Sequence, residues 1–138
     1  MSSWRGTETI LLVDDQEGVR SVAARMLRSR GYTVLAARHG ADALQLAAAH
    51  EGRIHLLATD MVMPEMDGVT VATRLREGHP EMRVVFISGY SDDVSSVRAA
   101  SEDNRKAAAG APVLRKPFTA DDLARAVRRA LSATADEP

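Results

Sequence analysis

Leu56-Leu57-Ala58-Thr59-Asp60-Met61-Val62-Met63-Pro64 decides the fold. An apolar run ends on one carboxylate, and a turn begins at once. Such a run reads as a parallel strand buried on both faces, from Ile54 to Thr59. Asp60 then stands at its carboxyl end, at the mouth of a pocket. Upstream, Gly52 closes an Ala-rich helix from Ala41 to about Ala49, with Leu44, Ala47 and Ala48 on one face. Before it lies a second strand, Tyr32 to Ala36. Gly31 caps a helix whose apolar stripe is Val19, Val22, Ala23, Met26 and Leu27, spaced i, i+3, i+4, i+7 and i+8. Ile10 to Val13 is the first strand, stopped by Asp14-Asp15.

Downstream, Gly68 follows the turn and Val69, Ala72 and Leu75 mark a third helix, which Gly78-His79-Pro80 breaks. Arg83 to Ser88 is a fourth strand of strong β-propensity. Ser91 can cap a fourth helix, with Asp92 and Asp93 in its first turn. From Ser101 to Ala109 the pattern weakens into a frayed helix or loop. Ala111 to Arg115 is the fifth strand, ended by Lys116-Pro117. Thr119 caps the last helix, with Asp122 three residues on and Leu123, Ala126, Val127, Ala130 and Leu131 facing inward. Strand and helix thus alternate five times, which predicts a parallel sheet covered on both faces.

The bulk numbers suit one domain. The chain has 138 residues, of which 45% are hydrophobic and 27% charged. We expect that domain over residues 8–131, with a lead-in at 1–7 and a tail at 132–138. Trp4 reads as a surface aromatic. There is no cysteine, so thiolate metal sites and disulfides are excluded. A net charge of −1 leaves no basic footprint for nucleic acid. No apolar run approaches a membrane span and the start has no signal-peptide core; the absence of cysteine fits a cytoplasmic protein.

In open α/β sheets, ligands bind beyond the carboxyl ends of the strands. Here those ends carry Asp14-Asp15, Asp60, Ser88 and Lys116. A 2-1-3-4-5 strand order would gather three carboxylates at one spot. They repel one another unless a cation joins them, and an all-oxygen donor set suits Mg²⁺. Lys116 can pair with one further negative group. A phosphoryl group on Asp60 would use metal, lysine and hydroxyl together.

The set Asp14-Asp15, Asp60 with Met63-Pro64 and Gly68, Ser88-Gly89, and Lys116-Pro117-Phe118 resembles the receiver domains of two-component response regulators. Four motifs in order, each at the end of its strand, carry the resemblance over about residues 8–131. It implies a flavodoxin-like, doubly wound five-stranded parallel sheet, order 2-1-3-4-5, with five helices. It implies Asp60 as phosphoacceptor. Asp15 and Asp60 would bind Mg²⁺ (or Mn²⁺) directly, Asp14 mainly through water, and the Val62 backbone carbonyl would add a ligand. Ser88 and Lys116 would hold phosphoryl oxygens, and the bond before Pro117 would be cis. The implied partner is a histidine kinase or histidine phosphotransfer protein. A homodimer through the fourth helix, fifth strand and fifth helix is the implied self-contact. The phrase Phe86-Ile87-Ser88-Gly89-Tyr90 is most similar to receivers attached to hybrid histidine kinases.

Two features depart from the common pattern. Val113 stands where a switch aromatic usually sits, which leaves Tyr90 as the other candidate for that work. The stretch between Ser88 and Lys116 is also long. Water reaching Asp60 must pass Val62 and Tyr90, so slow self-dephosphorylation is expected. His39, His50, His55 and His79 lack ligand spacing and read as surface residues. Arg25, Arg28 and Arg30 read as a solvated face or part of a docking surface, and Met61, Met63 and Met66 as packing. Two rival functions stay open: an aspartyl-phosphate phosphohydrolase, which would want an acid where Val62 stands, and an interaction module that takes no phosphate. The first reading is a switch and not an enzyme acting on other molecules.

Overall fold

The computed structural model describes residues 7–63, 65–88 and 112–132. In chain order it contains β1 (Thr9–Val13), α1 (Glu17–Ser29), β2 (Thr33–Ala37), α2 (Gly40–Ala49), β3 (Leu56–Asp60), α3 (Gly68–Gly78), β4 (Arg83–Ser88), β5 (Val113–Arg115) and α4 (Ala120–Ser132). The strands form one parallel sheet, as the alternation predicts, in the order β2-β1-β3-β4-β5 that the family resemblance implies. Four helices fall among the described residues. The helix expected from Ser91, with Gly89, Tyr90 and Ala111, lies outside them.

The continuous apolar runs are explained by two-sided burial. Side chains alternate across a strand, so one run supplies two cores. Leu11, Val13, Leu57, Val84 and Phe86 meet Ala43 and Ala47 of α2 and Val71, Ala72 and Leu75 of α3. Ile10, Leu12, Leu56, Ala58, Val85 and Ile87 meet Ala23, Ala24 and Leu27 of α1 and Leu123, Val127 and Ala130 of α4. The methionines behave as filler: Met63 is buried in the first core, and Met61 and Met66 pack against it.

The helix stops fall where expected. Gly31 follows α1 at φ 100°, and Gly52 follows α2 at φ 117°, both left-handed positions that glycine adopts without strain. At α4, Thr119 Oγ1 accepts from the Asp122 N–H while Asp122 Oδ2 accepts from the Thr119 N–H, each at 3.0 Å.

Several details correct the sequence reading. β2 starts one residue later than expected, and β3 runs Leu56–Asp60, so the carboxylate belongs to the strand itself. On α1 the buried arc is Ala23, Ala24 and Leu27, while Val22 is 45% exposed. The two alanines let α1 lie close to the sheet, which turns Val22 outward. On α2, Gly40 and Ala43 are buried with Ala47, and Ala48 is exposed. The histidines are not all idle surface groups. His39 Nδ1 accepts from the Asp42 N–H and so caps α2, and His55 Nδ1 accepts from the Thr9 N–H at 3.0 Å. No helix among the described residues is long and apolar enough to cross a membrane.

Candidate functional site

The strand order puts β1 beside β3, and β3 beside β4. Three strand ends are thereby brought to one edge. Asp14 and Asp15 follow β1, and Asp60 ends β3. Ser88 ends β4, one residue beyond the Ile87 that pairs with Asp60. β5 is the edge neighbour of β4, and the Lys116 N–H donates to the Ser88 carbonyl at 2.8 Å. The chain after β5 therefore delivers the lysine to the same place. The Lys116–Pro117 peptide is cis.

One carboxylate oxygen from each of Asp14, Asp15 and Asp60 lies within 4.8 Å of the others. Asp14 and Asp60 are buried, and Asp15 is exposed. Lys116 Nζ stands 3.2 Å from Asp60 Oδ1 and 3.4 Å from Asp14 Oδ2. Neither of those two buried oxygens has a hydrogen-bond partner among the described residues. Burial pushes the Asp60 carboxyl up, the Asp14 carboxylate beside it pushes it further, and Lys116 opposes both only in part; the carboxyl stands at about 8. Burial alone would lower the Lys116 ammonium, but Asp60 and Asp14 outweigh it and hold it above the usual lysine value.

One ammonium does not neutralise this cluster. Two buried carboxylate oxygens without donors, in an all-oxygen set, fit a hard divalent cation. Asp14 has one oxygen already committed, because its Oδ1 accepts the Gln16 N–H at 2.8 Å.

The loop after Asp60 is held from below. The Gly68 N–H donates to the Met61 carbonyl at 2.9 Å. A Cβ on Gly68 would run into the Asp60 carbonyl oxygen. Glycine is thus what lets α3 start so close to the tip of β3. Asp67 caps that helix, its Oδ1 accepting from the Thr70 N–H at 2.8 Å. Glu65, in the same loop, has φ 72°, a left-handed backbone that a side chain makes costly. Val62, just past Asp60, is 46% exposed, and Val113 on β5 is 53% exposed.

Two groups at this edge escaped the sequence reading. Gln16 reaches Lys116 with its side-chain amide, Nζ to Oε1 at 3.0 Å. Arg20 Nη1 donates to the Asp14 carbonyl at 2.8 Å. Neither residue type carried a signal, since both contacts depend on where the fold places a distant or main-chain partner. Of the arginines read as a solvated face, Arg28 donates to the Val34 carbonyl and Arg30 pairs with Asp121.

Comparison with known proteins adds an independent line. Residues 10–128 match the response regulator receiver domain family. The chain is 40% identical over 126 residues to the sensor kinase CckA of Brucella abortus (strain 2308), covering 91% of this chain but 13% of that protein. It is 35% identical over 124 residues to the response regulator receiver protein CpdR of the same organism, covering 90% of this chain and 97% of that one. Among solved structures, the signal receiver domain of an HD domain-containing protein from Pseudomonas fluorescens Pf-5 superposes with a TM-score of 0.78 at 29% identity, covering 96% of this chain and all of that one. Vibrio cholerae CheY4 shares the fold with a TM-score of 0.76 at 23% identity, covering 91% of this chain and all of that one.

Proposed function

Because this chain belongs to the response regulator receiver domain family, we propose that it is a phosphoacceptor switch with Asp60 as the acceptor. The observation that carries this is the meeting of Asp60 with Asp14, Asp15 and Lys116 at the tip of β3. The donor is a phosphohistidine on a histidine kinase or histidine phosphotransfer protein. An Asp60 carboxylate oxygen attacks the phosphorus in line. The P–O bond forms as the P–N bond breaks, and the imidazole leaves with a proton.

Asp14, Asp15, Asp60 and the Val62 carbonyl would hold Mg²⁺, or Mn²⁺ in its place. When bound, it supplies positive charge against the phosphoryl oxygens. Lys116 reaches the same oxygens from the other side, and Ser88 lies one residue past the strand position opposite Asp60. The added negative charge draws these two groups inward and biases the chain beyond β4. The output surface is then the segment after β4 with β5 and α4, which also serves a partner or a second copy. The protein catalyses its own phosphorylation and dephosphorylation and turns over no other substrate.

Incubation with acetyl phosphate and Mg²⁺ tests the reading. Intact-mass measurement is expected to show one added phosphoryl group, absent in Asp60→Asn. Continuous release of phosphate from acetyl phosphate without a lasting adduct would instead mark a phosphohydrolase. No adduct and no release would mark an interaction module.

A further inference from the structure

Gln16 occupies the N-cap of α1, yet its side chain makes no capping hydrogen bond. It points instead at the lysine one hundred residues away in sequence, with Nζ 3.0 Å from Oε1. Its backbone N–H meanwhile donates to Asp14 Oδ1 at 2.8 Å, and its carbonyl accepts from the Arg20 N–H at 2.9 Å. One residue thus touches an acid of the cluster through its main chain and the facing cation through its side chain.

An ammonium has three donors. Lys116 places one on Gln16 with good hydrogen-bond geometry. It stands 3.2 Å from Asp60 Oδ1 and 3.4 Å from Asp14 Oδ2, both longer than its contact with Gln16. The neutral amide is thus the nearest of the three acceptors around the charge. We propose that Gln16 is a positioning residue that draws the Lys116 ammonium toward itself and away from Asp60 and Asp14, so that both carboxylate oxygens stay more open to a divalent cation. The inference rests on the phosphoacceptor reading of the site, for which that cation is the helper.

The mechanism is competition. Without the amide, Lys116 settles wholly on the carboxylate oxygens, and a tighter charge-assisted bond there opposes the metal. Gln16 is exposed at the rim, so its amide also remains able to let go when a phosphoryl oxygen offers the lysine a better acceptor.

The test is Mg²⁺ titration of the full chain by calorimetry, with the Lys116 Nζ resonance followed in parallel by NMR. Gln16→Ala is expected to weaken Mg²⁺ binding on the order of fivefold and to shift the Nζ resonance. Gln16→Glu keeps an acceptor at the same reach and is expected to bind Mg²⁺ at least as tightly as wild type. Unchanged Mg²⁺ affinity and an unchanged Nζ resonance in Gln16→Ala would overturn the inference. So would equal weakening in both variants, since a mere change of packing at the α1 cap predicts that. Should Gln16→Ala not fold, Gln16→Met of similar length takes its place with the same expectations. Acetyl phosphate labelling of wild type, run alongside, separates the two claims. A chain that never labels but shows the Gln16 effect defeats the phosphoacceptor reading alone.

Discussion

At the scale of single residues, the imidazole of His55 shows how a polar group can be structural without looking so. His55 sits just before β3, and its own N–H donates to the Thr9 carbonyl at 2.9 Å. Its Nδ1 accepts the Thr9 N–H in return. The pair closes the sheet at the end opposite the acids. His55→Phe would leave the Thr9 N–H without an acceptor, at a cost of about 1–2 kcal/mol in urea unfolding. His55→Asn, whose Oδ1 lies where Nδ1 does, should lose less than half of that. Equal losses in the two variants would show that packing, not the acceptor, matters there. The acids were legible in the sequence because each terminates an apolar run, a pattern that reports position along a strand. The acceptor role of His55 was not, because the donor lies 46 residues away and is a backbone group. Gln16 escaped for the same reason, and glutamine is in any case no strong N-cap signal.

At the scale of elements, the start of α3 is a tight join. A Cβ on Gly68 meets the Asp60 backbone carbonyl, and backbone does not move aside as a flexible side chain would. Gly68→Ala is therefore expected to lose about 1–3 kcal/mol and to slow labelling of Asp60, because α3 must retreat from the tip of β3. Gly18 in α1 is the control, since a Cβ there meets nothing within 4 Å. Gly18→Ala should be neutral or gain up to about 1 kcal/mol from lower chain entropy in the unfolded state. Urea midpoints of the two variants decide the matter; a Gly68→Ala protein as stable as wild type would mean the join can slide. Type and order of the elements were legible because buried strands and amphipathic helices differ in period. The faces of the helices were less so. On α1 the spacing put Val22 inward beside Ala23, and packing against the sheet selects the smaller Ala24 instead. The need for glycine at 68 was visible only as a family motif; its cause is a carbonyl eight residues earlier.

At the scale of the whole molecule, the strand order concentrates negative charge at one edge, and the fold must bear it. Asp60 shifts from an ordinary 3.8 to about 8 on folding, chiefly through burial and then through Asp14. The folded state therefore keeps a proton that the unfolded chain has released. Its stabilising share is full below about pH 4 and is lost as pH rises through about 8. Metal-free protein, in excess chelator, should accordingly become less stable between about pH 5 and about pH 8, to the extent that this group governs the curve. Asp60→Asn cannot ionise and removes that slope. At about pH 8 it should exceed metal-free wild type by about 1–3 kcal/mol, because a buried, unneutralised charge is gone. Mg²⁺ should restore wild type at the alkaline end by binding the ionised cluster, with little effect at about pH 5, where a proton competes for Asp60. The measurement is urea unfolding of both proteins across this range, with and without Mg²⁺. Parallel curves for wild type and Asp60→Asn in chelator would mean that the proton on Asp60 does not couple to folding. Convergence of the two at the acid end, and their separation at the alkaline end, is what a carboxylate crowded by its neighbours requires.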